Sequence, residues 1–206
     1  MNYGQLKSMA LQLIFSESIA GAPIPESYNN QADYIRAIPA LANDGMMAIA
    51  TSAKRIPAIV PLADLERQSL GDCSLYTLPE DCWQLMNGGL IWRGPERAQD
   101  AWQRYHGYRL YMNRRLLLPD GLPNLGTMLV EYYRYPHTLP ERPADGEALD
   151  NTPETHGVLA YYVAAQLVMY DDPARYAFLR SGYETRLLRL REPVTVEYVA
   201  TENVYR

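Results

Sequence analysis

The spacing of apolar residues changes character twice along the chain. Over 3–16, Leu6, Met9, Ala10, Leu13 and Ile14 recur at helical intervals and predict an amphipathic helix. The string Ala20-Gly-Ala-Pro-Ile-Pro-Glu-Ser then predicts a loop, because two prolines and a glycine break any regular element. Helical spacing returns over 30–55, with Pro39 inside it. Proline removes a backbone donor and crowds the preceding turn. A break is therefore predicted, with a short helix over 30–37 and a longer one over 39–54 that carries Pro39 in its first turn. Leu41, Met46, Ile49, Ala50 and Ala53 would face inward.

From 57 to 140 the pattern shortens to alternating runs separated by proline and glycine. Strands are predicted at 74–78, 83–87, 108–113, 115–118 and 127–135. Pro119-Asp120-Gly121 reads as a turn between the last two, and Gly88-Gly89 as a hairpin turn. Residues 94–104 read as a short helix or a long loop. An acidic, proline-containing linker over 136–152 carries Glu141, Asp145, Glu147 and Asp150.

Helix resumes after it. Thr152-Pro153-Glu154 offers a capping residue, a proline at the first position and an acid near the positive end of the helix dipole. Leu159, Tyr162, Val163, Gln166, Leu167 and Tyr170 continue that helix. Asp171-Asp172-Pro173 breaks the chain, with the aspartates as capping residues. A last helix covers 173–191, with Tyr176, Leu179, Tyr183, Leu187 and Leu190 on one side. Pro193 ends it, and the β-prone tail that follows has no local partner, so it suits addition to a sheet edge.

The fold class expected from this order is α+β. It consists of a helical bundle of about four to five helices, a mostly antiparallel β insertion between its N- and C-terminal helices, and an extended C-terminal arm. The segments are 1–56 for the N-terminal helices, 57–140 for the β-rich insertion, 141–191 for the linker and C-terminal helices, and 192–206 for the arm.

Composition narrows the function. With 206 residues, 48% apolar and 21% charged, the chain is sized for one domain, or one with an inserted subdomain, and its bulk is not disordered. A net charge of −5 argues against a bulk basic nucleic-acid binder. Cys73 and Cys82 are the only cysteines, which implies no disulfide framework and suggests a reducing compartment. The first residues lack a basic stretch followed by an apolar run, so no secretory signal is expected, and no apolar run is long enough to cross a membrane. Tyrosine outnumbers phenylalanine 17 to 2, and arginine outnumbers lysine 17 to 2. Both biases suit partner-facing surfaces.

Catalytic motifs are missing. No phosphate-binding Gly-x-x-x-x-Gly-Lys string, Gly-x-Gly-x-x-Gly string or Gly-x-Ser-x-Gly elbow occurs. His106, His137 and His156 have no metal-ligand spacing with each other or with the cysteines. No catalytic, cofactor-binding or metal-ligating residue is assigned. The local basic segment is Arg93, Arg97, Arg104, Arg109, Arg114 and Arg115, interleaved with Trp92, Trp102, Tyr105, Tyr108 and Tyr111. It reads as a subunit contact, with the acidic stretch 141–154 as its complement, or as a DNA contact through phosphate pairing and ring stacking.

Several strings resemble the head-to-tail adaptor family of tailed bacteriophages, also called connector or neck proteins. They are Tyr3-Gly-Gln-Leu-Lys, Tyr34-Ile-Arg-Ala-Ile-Pro-Ala-Leu-Ala-Asn-Asp, Tyr76-Thr-Leu-Pro-Glu-Asp, Val130-Glu-Tyr-Tyr-Arg-Tyr-Pro, His156-Gly-Val-Leu-Ala-Tyr-Tyr-Val-Ala-Ala-Gln-Leu and Tyr183-Glu-Thr-Arg-Leu. The resemblance spans roughly 3–191 and rests on element order more than on any signature. It implies a structural virion protein of the neck, assembled in the host cytoplasm, without enzymatic activity or cofactor. Such a protein forms a ring, usually of twelve copies, beneath the portal protein. It extends the channel for double-stranded DNA without sequence-specific binding and presents a surface to a tail or nozzle protein. The resemblance also implies a portal-docking arm, which falls here on Val194, Val196, Tyr198, Val199, Val204 and Tyr205.

Two other function classes compete with the adaptor. A nucleic-acid-binding module would use the segment 92–115. An enzyme would need a pocket that brings His106, His137 or His156 within hydrogen-bond reach of a carboxylate.

Overall fold

The computed structural model describes residues 1–15, 29–93, 102–111, 114–120 and 126–191. Helix α1, Tyr3–Ile14, starts at a reciprocal cap. The Gln5 N–H donates to the Asn2 side chain at 2.9 Å, and the Asn2 N–H donates to the Gln5 side chain at 3.1 Å. Two of the donors that a helix start leaves open are satisfied this way.

Helix α2 runs unbroken over Asn29–Ser52 with Pro39 inside it. The break expected at Pro39 does not occur. An interior proline costs a helix about 3 kcal/mol. Ile38, Ala42, Met46 and Ile49 form one face over the second half of the helix, each no more than 2% exposed, and Tyr34 and Ile35 pack against the same core before the proline. Burying one large aliphatic side chain contributes about 1.5–3 kcal/mol, so packing outweighs the lost backbone bond.

Helix α3, His156–Val168, is the centre of this region. It packs against α1, α2 and α4, the last being Pro173–Leu190. Its sequence is apolar nearly all round, as a helix with neighbours on three sides requires. Gly45 lets α2 approach it, since a Cβ there would fall 2.6 Å from Leu159 Cδ1. Thr152-Pro153-Glu154 opens a 3-10 turn, Pro153–Thr155, instead of α3 itself, and Thr152 makes no side-chain cap bond. Asp172 does cap α4, accepting from the Arg175 N–H at 2.9 Å.

Eight strands are present among the described residues: β1 (Ile56–Pro61), β2 (Arg67–Ser69), β3 (Cys73–Thr77), β4 (Cys82–Arg93), β5 (Gln103–Arg104), β6 (Arg109–Tyr111), β7 (Arg115–Pro119) and β8 (Thr127–Arg134). They form two four-stranded antiparallel sheets, ordered β1-β8-β4-β5 and β2-β3-β7-β6. Both sheets contribute to one hydrophobic cluster. Leu90, Met128, Val130 and Tyr132 come from the first sheet, and Tyr76, Leu116 and Leu118 from the second. Met128, Val130 and Tyr132 are buried at alternate positions, the period of a strand with one inward face.

These sheets correct the expected fold class. The protein is mixed, with strands about as prominent as helices, and is not a helical bundle of four to five helices carrying a β insertion. The strand region buries a hydrophobic cluster of its own. The sequence reading undercounted it for a physical reason. Strands β2 and β5 are too short to show alternation, and β1 carries Pro57 and Pro61, which read locally as breakers. Pairing with neighbours makes them strands. Gly88 and Gly89 are likewise not a hairpin turn. They lie inside β4 at a register shift between Leu85 and Leu90, with Gly88 at φ +67°, which is the geometry of a bulge.

The segment after β8 straps the two regions together. The Arg134 guanidinium makes a two-pronged contact with Asp150 at 2.5 and 2.7 Å, and the His137 N–H donates to the same carboxylate at 2.6 Å. The Leu139 N–H donates to Asn43 Oδ1 on α2 at 2.7 Å, and the Asn43 amide returns a bond to the Leu139 carbonyl. Further along, the Tyr3 and Gly4 N–H groups at the start of α1 donate to the carbonyls of Glu147 and Asp145.

Candidate interaction surfaces

Register decides where the basic segment goes. Arg104 on β5 pairs with Ile91 on β4, the strand that ends in Arg93, so these two arginines belong to the first sheet. Arg109 and Arg115 belong to the second sheet, with Arg114 in the turn before β7. Arg97 lies outside the described residues. The segment is therefore divided between two sheets and does not form one continuous stripe.

Within the second sheet the arginines do converge. Tyr111 lies opposite Arg115 and Arg109 opposite Leu117. Since side chains alternate along a strand, Arg109, Tyr111 and Arg115 share one face. All three are exposed, as are Leu110 and Arg114. Among the described residues no carboxylate makes an ion pair with Arg109, Arg114 or Arg115. Arg93 instead stacks on Trp102, 4.9 Å from the ring centroid.

The far edge of the same sheet is acidic. Asp64, Glu66 and Asp72 flank β2, all exposed and without an ion-pair partner among the described residues. The one arginine on that strand is satisfied internally. Arg67 donates to Ser74 Oγ at 2.8 Å and to Asp120 at 3.1 Å, and the Ser74 hydroxyl also donates to Asp120. Sequence reasoning missed this acidic group, because its members are scattered among turns and gain meaning only through the position of β2.

Helix α4 offers a second kind of surface. Its outward face is Ala174, Ala177, Phe178, Ser181, Thr185 and Leu188, all exposed and all uncharged. Phe178 is 71% and Leu188 61% exposed. Apolar residues off the buried stripe were the available sequence signal.

Arg55 was also missed. Its guanidinium sits over Tyr133 at 4.9 Å and Trp83 at 5.6 Å, bridging the start of β1 to β8 and β4. No single segment of sequence suggests that contact.

Three titratable groups away from the arginine segment are shifted by their surroundings. Asp150 is held below the usual carboxylate range by its hydrogen bonds from Arg134, against the opposing effect of burial. That carboxylate also lies 4.0 Å from His137 Nε2, and Arg134 already holds it. Burial and the Met1 ammonium lower His156, whose Nε2 lies 3.2 Å from that ammonium. Both sit beside an open groove of about 830 Å³ lined by Gly4, Lys7, Ser8 and Asp145. Burial pushes the Cys82 thiol up to about 11, which keeps it protonated at neutral pH. His106 is exposed beside the Gly88 bulge. Among the described residues no cluster of three or more metal-ligating side chains occurs, and no helix is long and apolar enough to cross a membrane. The proposed docking residues Val194, Val196, Tyr198, Val199, Val204 and Tyr205 lie outside the described residues. No protein-family model and no curated protein matches the chain.

Proposed function

We propose that this chain is a structural head-to-tail adaptor of a tailed bacteriophage. Copies form a ring beneath the portal, extend the DNA channel and offer the surface to which the tail attaches. One observation carries the reading: the partner-type surfaces are several and unlike one another. The outward face of α4 is uncharged and exposes Phe178 and Leu188, one edge of the second sheet is flanked by basic residues, and its other edge by acidic ones. A two-fold dimer uses one self-complementary patch. Unlike patches on one chain suit head-to-tail contacts, which give a ring where the rotation between copies closes. The element order, in which helices enclose a β region, is the other support, because the resemblance to the adaptor family rests on it.

The test is mass by light scattering after mixing the chain with the portal protein of its own phage. The full-length chain and one cut after Arg191 are compared. A ring-sized mass gain by the full-length chain alone supports the adaptor reading and assigns the docking arm to 192–206. No gain by either form removes portal docking as the function.

A further inference from the structure

Four strand edges bound the two sheets among the described residues: β1 and β5 on the first, β2 and β6 on the second. They differ in how open they are to another strand. Strand β1 carries Pro57 and Pro61, which have no N–H to offer, and β5 is two residues long. Prolines blunt an edge, and a strand of two residues leaves almost no backbone to pair. Strands β2 and β6 contain no proline, are three residues each, and are exposed at every position. Each strand carries one arginine, but that of β2, Arg67, is paired with Asp120, and the residues around the two edges are of opposite charge. Asp64, Glu66 and Asp72 flank β2, while Arg109, Arg114 and Arg115 surround β6. Exposed apolar side chains accompany both edges, with Leu70 beside β2 at 52% and Leu110 and Tyr111 on β6 at 48% and 53%.

We infer that β6 of one copy pairs with β2 of a second copy, so that the second sheet continues from chain to chain. Direction agrees. Every pairing in the sheet is antiparallel, so in the order β2-β3-β7-β6 the two outer strands run in opposite directions. Placing β6 beside the next β2 extends the antiparallel pattern without inverting a chain. Charge selects this arrangement over its alternatives. Two β6 edges would bring arginines together, and two β2 edges would bring carboxylates together. The contact is head-to-tail, and its repetition gives a ring or a filament. Three-residue edges offer few backbone bonds, so each contact is weak alone and depends on the charges beside it. The inference deepens the adaptor reading and rests on it only for closure into a ring.

Sedimentation of the full-length chain across concentration and salt tests it. The wild-type chain is expected to form species heavier than the 23.4 kDa monomer, and salt is expected to reduce them. Arg109→Glu with Arg115→Glu makes both edges acidic. Glu66→Arg with Asp72→Arg makes both edges basic. Each double variant alone is expected to stay at monomer mass, with association at least tenfold weaker. Mixed in equal amounts, the two are expected to associate again, because every edge then meets its complement. That recovery also shows that both variants fold.

A wild-type chain that stays monomeric up to about 1 mM in low salt overturns the inference, as do variants that associate like wild type or a mixture that stays monomeric. Unchanged self-association with lost affinity for a DNA duplex would assign the arginines to phosphate instead and likewise overturn it. Association that depends on both edges, with no portal binding, keeps the edge contact and removes the adaptor reading. Rings formed on the portal by either variant alone keep the adaptor reading and remove the edge contact.

Discussion

The helical region and the strand region bury their apolar residues in different ways. The helices gather around α3, whose Val158, Leu159, Ala160, Val163, Ala164 and Val168 are each no more than 3% exposed. The strands share a smaller cluster between two four-stranded sheets, and the outer strands β2 and β6 stay exposed. One region is organised around a central element that every neighbour touches. The other is organised by edge-to-edge pairing, which has no natural end until an edge is blocked. The contrast teaches where each region can take a partner. Among the described residues the helical region offers an outward uncharged face on α4, whereas the strand region offers open backbone edges.

Emptying each centre is the strongest way to break this comparison. Leu159→Ala leaves a cavity among three helices and is expected to cost about 3–5 kcal/mol, read from urea unfolding. Leu116→Ala, in the smaller strand cluster, is expected to cost about 2–4 kcal/mol. An equal or reversed order would refute the claim that α3 is the better-packed centre.

The strap between the regions comes next. Asp150→Asn leaves the half-buried Arg134 guanidinium without its charged partner, at an expected cost of about 1.5–3 kcal/mol. The two regions should then lose protection from hydrogen exchange at separate denaturant concentrations, whereas in the wild-type chain they are expected to open together. The same carboxylate sets an acid limit. Its folded pKa lies below its unfolded value, so its contribution is fully present above about pH 4 and disappears as pH falls through the lower folded value. Wild-type stability should therefore drop in that acid range, and the Asp150→Asn chain should lose this component of the drop.

Smaller still is the cation–π contact. Arg55→Ala removes a guanidinium stacked on Tyr133 and Trp83, for about 0.5–2 kcal/mol. Arg55→Lys should recover part of it. The smallest effect is on the surface of α4, where Glu184→Ala breaks an i,i+4 pair with Arg180 and should shift stability by no more than about 0.5 kcal/mol. A larger loss there would mean that α4's ion pair carries packing as well as charge.

Local signals located the helices well. The stripes of α1 and α4 and the Asp172 cap follow from spacing within one segment. Strands β3, β7 and β8 were legible from local sequence too, since each is a run of five or more residues rich in apolar or aromatic side chains. Pro39 and the Gly88-Gly89 pair misled because their local cost was read without the packing that offsets it. The basic segment was visible as a string of arginines. Its division between two sheets was not, because register joins residues far apart in sequence. The acidic edge of β2 was invisible for the same reason.

What the sequence determined is therefore local: that helices lie at both ends of the chain with strands between them, and that arginine and tyrosine crowd the stretch from 92 to 115. Tertiary structure decided that α2 continues through Pro39, that residues 56–61 pair as a strand despite two prolines, and that opposite charges occupy opposite edges of one sheet. The physical reason is common to all three. Burial and backbone pairing act between segments, and their free energies exceed the local preferences that a single segment displays.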